Sequence, residues 1–133
     1  MNNGFKVEII NPEKSFLSKD VVSEVVVPAF EGDMGILKDH ISIISFLRPG
    51  LLRIIDSKSS EETYYVEDGI IEFKNNCLSV LTSDIFDIRK IDKNKVRDIL
   101  VKAEKDGQNP DISDQAKYLV NHKIEVLKSL TLN

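Results

Sequence analysis

The sequence predicts an α+β chain: an antiparallel β-sandwich of about ten strands first, then a two-helix antiparallel hairpin. Three observations carry this. From Phe5 to about Ile88, apolar residues alternate with polar ones or run in short β-branched stretches separated by turn residues. The period then lengthens: Val96, Ile99, Leu100 and Ala103 stand at i, i+3, i+4 and i+7, one face of a helix. The charge changes sign at the same place. Residues 1–88 carry 8 basic against 15 acidic side chains, a net of −7, and residues 89–133 carry 10 against 7, a net of +3. Two modules, 1–88 and 89–133, with different partners follow from that division.

Each element has its own signal. Phe5, Val7 and Ile9 alternate with Lys6 and Glu8 as in a half-buried strand, and Asn11-Pro12 ends it. Phe16 and Leu17 start a short second strand, which Asp20 turns into the run Val21 to Val27; Pro28 stops that run. Glu31-Gly32-Asp33 and Gly35 read as a turn, since glycine reaches positive φ without cost. Lys38-Asp39-His40 forms a second polar excursion, and Pro49-Gly50 a third turn between strands at 41–47 and 51–55. A polar loop at 56–62 holds Ser57, Ser59 and Ser60. Strands follow at 64–66, 70–73 and 78–82, separated by Asp68-Gly69 and Asn75-Asn76. With no strand alternating with a helix, a parallel nucleotide-binding sheet is not expected.

Asp92 is placed to cap the first helix and Gly107 to stop it. Asn109-Pro110 separates the second helix, which Asp111 or Ser113 caps. Ala116, Leu119, Val120, Ile124, Leu127 and Leu130 continue one apolar face. Two helices of roughly 15 to 20 residues cover each other's stripe only partly, and a short helix alone is marginal in water. The hairpin must therefore dock on the sandwich, on another subunit, or on each in turn.

The remaining composition narrows function by exclusion. At 133 residues the chain can bury one core, and 41% hydrophobic with 30% charged residues is ordinary for a soluble protein. No apolar run approaches the roughly 18 residues of a membrane span, and Met1 to Lys6 lacks the pattern of a secretory signal. The single cysteine, Cys77, reads as a small hydrophobe in a strand. The basic tail interleaves acids and has one aromatic, Tyr118, which does not make a nucleic-acid platform. His40 and His122 have no Cys or His at metal-ligand spacing, no nucleophile accompanies His40, Asp33 and Asp39, and no phosphate-binding loop is present. The expectation is a non-catalytic chain with no metal. The turns at 28–50 present Glu31, Asp33, Asp39 and His40 on a rigid scaffold, as binding loops do.

That stretch closely resembles the epsilon subunit of the bacterial F-type ATP synthase. The family pattern V-P-G-x-E-G-D/E-x-G-I-L-P-G-H, followed by a strand and L-x-P-G, is met by Val27-Pro28, Glu31-Gly32-Asp33, Gly35-Ile36-Leu37, His40 and Leu47-Arg48-Pro49-Gly50. Ala29 replaces a glycine, and Lys38-Asp39 replaces Pro-Gly. Tyr65 to Phe73 resembles the family's F-x-V-x-G-G-F-x-E-V segment, Leu78 to Thr82 its V-T-V-L-A, and Asp87-Ile88 to Ile91-Asp92 lies at its hinge.

The resemblance implies a non-catalytic rotor part of the central stalk, coupling proton-driven rotation of the c-ring to ATP synthesis. Its sandwich would bind the gamma subunit and the c-ring, with Glu31, Asp33 and His40 as contacts. Its hairpin would regulate, reaching the alpha/beta catalytic head when extended and hindering ATP hydrolysis there. Lys93, Lys95, Arg97, Lys102, Lys105, Lys117, Lys123 and Lys128 are the basic side chains that would meet that head. Membrane association would be indirect, at the cytoplasmic face of the bacterial inner membrane. Some members bind ATP through I/L-D-x-x-R-A; here the run is Ile91-Asp92-Lys93-Asn94-Lys95-Val96, so Ile91, Asp92 and Lys95 would be the contacts. Lysine lacks arginine's planar fork, and no cofactor is expected. The rival reading is a free-standing β-sandwich adaptor with a helical appendage, which leaves the match at 28–50 unexplained.

Overall fold

In the computed structural model the described residues are 4–13, 15–56 and 60–131, with Val21 described in its backbone only. Among them nine strands precede two helices: β1 (Phe5–Ile10), β2 (Ser15–Ala29), β3 (Gly32–Leu37), β4 (Ile43–Leu47), β5 (Gly50–Asp56), β6 (Glu61–Val66), β7 (Gly69–Lys74), β8 (Cys77–Thr82), β9 (Ile85–Asp87), α1 (Lys93–Gly107) and α2 (Asp114–Thr131). Along the hydrogen-bonded sheet the order is β1-β8-β7-β4-β2-β5-β6-β9, with β3 on β2 and β1 also on β2. The inward faces meet in one core. Phe5, Val7, Ile9, Val25, Ile36, Leu52, Ile54, Ile71, Phe73, Leu78 and Val80 are among its buried side chains. Alternation in β1, β5, β7 and β8 produces that core directly.

Several boundaries differ from the sequence reading. Asp20 does not turn the chain: β2 is one strand of 15 residues. Its first half pairs with β1 and its second half with β3 and β5, the change falling at Val22, where the ladders are irregular. A strand that crosses between layers through such irregularities spares the turn that Asp20 was expected to make. Pro28 does not end the strand either; it pairs with Asp33, and its carbonyl accepts from the Arg48 amide at 3.0 Å. Next to a strand end, its missing N–H leaves no bond unmade. Asp33 and Gly35 consequently belong to β3, and the turn itself shrinks to Phe30-Glu31. Glu61 and Glu62 lie in β6, and residues 57–59 of the expected polar loop are outside the described residues. β4 starts at Ile43, and β9 was not foreseen. One ladder, β1 with β8, is parallel.

The turns obey local chemistry. Asn75 and Asn76 have φ of 51° and 55° between the paired Lys74 and Cys77, a two-residue hairpin loop of the type asparagine tolerates. Gly32 sits at φ 149°, which a side chain would strain. The Asp92 carboxylate accepts from the amides of Asn94 and Lys95, capping α1 as expected. Of the two candidate caps for α2, Ser113 acts: its Oγ accepts from the Ala116 amide at 3.1 Å. α1 and α2 pack together, and a second apolar cluster of Tyr65, Val96 and Leu127, flanked by Leu51, Phe86, Ile91 and Val126, seats them on β5 and β6. Between the modules, Asp87 caps the short 3-10 turn and pairs with Arg89 at 2.7 Å, which holds its carboxyl below the usual range.

Candidate functional site

The expected contact residues fall at opposite ends of β3. At one end, the Phe30-Glu31 turn carries Glu31 and Asp33 outward. The turn is tied to its neighbours by the Phe30 amide, which donates to Phe46 O at 2.8 Å, and by the Arg48–Pro28 bond. Arg48 Nη2 lies 4.0 Å from Asp33 Oδ1. At the other end, Asp39 adopts φ 66° and exchanges hydrogen bonds with Asn76: its amide donates to Asn76 Oδ1 at 2.7 Å, and Asn76 Nδ2 donates to its carboxylate at 2.9 Å. His40 is half-buried there, edge-on to Phe73 at 5.8 Å, with Nδ1 2.7 Å from Ile41 O. Lys38-Asp39 thus builds a closed turn against the β7–β8 hairpin. Glu31 and Asp33 form one site; His40 is not part of it.

A larger feature was not read from the sequence. Ile44 (69% exposed), Phe46 (67%), Ile70 (42%) and Leu81 (53%) lie on one outer face of β4, β7 and β8. Phe46 pairs with Ile70, and Ile70 with Leu81, so the three side chains run across adjacent strands. A contiguous apolar face of this kind marks a contact surface. The signal was available in Ile43-Ile44 and Phe46-Leu47: two apolar neighbours in a strand put one on each face. Beside this face a groove of about 920 Å³ runs between the acidic turn and α2. Ile44, Phe46 and Ile70 line it, with Glu31, Asp33 and Asp68 supplying its acidic groups and Gln115 and Leu119 its helical side. Such a groove suits a partner segment with apolar side chains and basic neighbours.

The docked hairpin closes one edge of the sandwich through polar contacts as well as the apolar cluster. Tyr118 stands against Phe30 with ring centroids 5.0 Å apart. Its hydroxyl donates to Phe30 O at 2.7 Å and accepts from Arg48 Nη1 at 2.9 Å. One turn on, His122 faces the β4–β5 corner, where a side chain on Gly50 would approach its Nε2 to 3.7 Å and clash with Pro28 at 2.8 Å. Burial, then the Arg48 charge, lowers the His122 pKa, against smaller opposing effects of Glu125 and Asp33. Lys123 Nζ pairs with Glu67 Oε1 at 2.9 Å, and the Tyr65 hydroxyl donates to Glu67 Oε2 at 3.1 Å. Burial first, then Glu67, raises the Tyr65 pKa.

The basic residues of the hairpin divide accordingly. Lys123 is half-buried and occupied by Glu67, so in this state it presents no charge to another surface. Lys93, Lys95, Arg97, Lys102, Lys105, Lys117 and Lys128 are exposed. Of the three expected ATP contacts, Ile91 packs in the apolar cluster, Asp92 caps α1, and Lys95 Nζ lies 5.6 Å from the centre of the Phe86 ring. Among the described residues no group of three or more His, Cys, Asp or Glu could hold a metal ion, and no helix is long and apolar enough to cross a membrane.

The chain is thus a β-sandwich with an apolar sheet face, an acidic turn beside it and a helical hairpin folded on its edge. Residues 4–88 match the model of the ATP synthase delta/epsilon chain β-sandwich domain. The ATP synthase epsilon chain of Pelagibacter ubique is 68% identical over 130 residues, covering 98% of this chain and 99% of that one. The epsilon chain of Dichelobacter nodosus is 34% identical, over 84% and 77% of the two chains. A chain in the Euglena gracilis mitochondrial ATP synthase structure (OSCP/F1/c-ring) has the same fold, with TM-score 0.74 at 19% identity, covering 96% of this chain and 79% of that one. The chain therefore belongs to the ATP synthase delta/epsilon family, as an accessory subunit of that complex and not its catalytic part.

Proposed function

We propose that the chain is a part of the rotor's central stalk, coupling ion-driven rotation of the c-ring to ATP synthesis. In this reading residues 1–88 form the coupling module. The gamma subunit covers the apolar face of Ile44, Phe46, Ile70 and Leu81, and the turn carrying Glu31 and Asp33 meets polar or basic loops of the c-ring. Residues 89–133 form a regulatory hairpin whose exposed lysines and Arg97 reach the alpha/beta head when it extends. The complex lies at the cytoplasmic face of the bacterial inner membrane, and the chain joins the membrane only through it.

The observation that carries this reading is the apolar face itself. Relatives named as epsilon chains support a stalk partner, and four large apolar side chains left exposed on adjacent strands offer the area that exposed ion pairs, at about 0 to 1 kcal/mol each, do not. The test is co-purification of tagged chain with gamma and c subunits from solubilised membranes. Phe46→Glu, whose side chain already faces solvent, should leave the fold intact and reduce recovery of gamma at least about tenfold, as loss of a central interface aromatic does. Undiminished recovery of gamma by this variant would exclude the face as its seat.

A further inference from the structure

Tyr118 occupies an unusual position. Its hydroxyl is held on both sides, by the Phe30 carbonyl and the Arg48 guanidinium, 88 and 70 residues away in sequence. Phe30 is half of the two-residue turn that presents Glu31 and Asp33. Arg48 is the side chain nearest to pairing with Asp33. Its Nε is buried with no hydrogen-bond partner among the described residues, so the guanidinium is placed by its Nη contacts to Tyr118 and Asp33. The Phe30 and Arg48 amides, in turn, are the two backbone bonds that fasten the acidic turn to the β4 end. The groove beside the apolar face has the same composition: the acidic turn on one side, Gln115 and Leu119 of α2 on the other. The hairpin's docking contacts and the turn's own fastenings therefore share two residues.

We infer that Tyr118, Arg48 and the Phe30 carbonyl form a latch through which the position of the C-terminal hairpin and the conformation of the acidic turn are thermodynamically linked. When the hairpin leaves, the Phe30 carbonyl loses its donor and Arg48 loses its acceptor. The guanidinium then has Asp33 as its nearest anion, and the turn loses its outer brace, the Tyr118 ring. When the hairpin is docked, the Tyr118 hydroxyl keeps Arg48 shared between α2 and the turn, and Asp33 stays more than half exposed for a partner's base. Linkage is reciprocal: whatever binds the turn in its docked-state shape must hold the hairpin down by the same factor. That last consequence rests on the turn being a partner contact, as read above; the latch itself does not.

Native-state hydrogen exchange on the full chain tests it with two variants. Tyr118→Phe keeps the ring against Phe30 and removes both hydrogen bonds; about tenfold faster exchange is expected in the first turns of α2 and at the amides of Phe30 and Arg48. Leu127→Ala loosens the hairpin from its other end without touching the latch, and the Phe30 and Arg48 amides should accelerate with it. If α2 loosens in both variants while those two amides keep their wild-type rates, the turn is indifferent to the hairpin and the inference is wrong. In the assembled gamma–c-ring complex, wild-type α2 should exchange more slowly than in the free chain, and less so with Tyr118→Phe. Assembly that leaves α2 rates unchanged overturns the linkage to the partner. Failure of gamma and the c-ring to bind at all sinks the stalk reading, while the two-variant exchange still decides the latch.

Discussion

The sandwich and the hairpin are held by different amounts of the same physics. The sandwich encloses Phe5, Val7, Ile9, Val25, Ile36, Leu52, Ile54, Phe73 and their neighbours in one continuous buried cluster. The hairpin is seated by three fully buried side chains, Tyr65, Val96 and Leu127, with a partly buried surround and a few polar contacts. Burial scales with apolar area removed from water, so the sandwich has the larger share of it and the hairpin depends on the seat the sheet gives it. Under the function proposed above, the sandwich is the coupling end and the hairpin the releasable, regulatory one. It also explains why the hairpin's polar contacts matter out of proportion: with little apolar area, each hydrogen bond is a larger share of what keeps it down.

The sharpest way to break the contrast is in the sandwich. Phe73 is 1% exposed and packs edge-on to Phe5 at 5.5 Å. Phe73→Ala should cost about 3–5 kcal/mol of global stability, because the cavity it leaves lies between two rigid layers that cannot collapse into it. Urea unfolding would show a lower midpoint for both modules together, since the hairpin has no seat without the sheet. A midpoint shift confined to the helices would mean that the sandwich is not the keystone.

Leu127→Ala acts on the other side. The residue is fully buried, and its loss should cost about 2–5 kcal/mol, but of hairpin docking and not of the sandwich. Exchange of the α2 amides should rise at least about 30-fold, the factor that corresponds to roughly 2 kcal/mol, while sandwich amides other than those of Phe30 and Arg48 hold their rates. In the assembled complex the same variant favours the extended hairpin and, on the regulatory reading, slows ATP hydrolysis. A loosened hairpin with unchanged hydrolysis would leave α1 and α2 as structure without a regulatory role.

The two regions also differed in how openly their sequences announced them. Alternation in β1, β7 and β8 and the 3.6-residue period of α1 are single-face patterns, readable from one strand or helix alone. So were the Asp92 cap and the Asn75-Asn76 turn, which depend on neighbours in sequence. What stayed hidden required knowing a second surface. β2 reads as two strands because its polar residues, Lys19 and Asp20, sit where it passes between layers, and no local pattern tells a turn from a crossing. On α2 the stripe of Val120, Ile124 and Leu127 was visible. Tyr118, His122 and Lys123 fill the adjacent face and look like polar surface until Phe30, Gly50 and Glu67 are set against them. Glu31, Asp33 and His40, adjacent in one motif, were separated by β3, because strand geometry carries about 3.3 Å per residue and two ends of a six-residue strand cannot share a site.

The smallest expected effect sharpens the contrast with pH. Burial, and next the charge of Arg48, hold the His122 pKa below its ordinary 6.5 while the hairpin is docked. Glu125 on its own helix and Asp33 on β3 pull the other way and do not prevail. The docked state therefore prefers neutral imidazole, whereas the released hairpin, with His122 in water, titrates at the ordinary value. The sign follows: docking has its full strength above about pH 6.5 and weakens as pH falls from there through the docked-state pKa. The α2 amides, corrected for intrinsic exchange, should lose protection between pH 7.5 and 5.5. His122→Gln should flatten that profile without touching the sandwich, since His122 lies on α2 outside the sandwich core. A profile of the opposite slope would mean that Asp33 and Glu125 outweigh Arg48, making acid a clasp on the hairpin instead of a release.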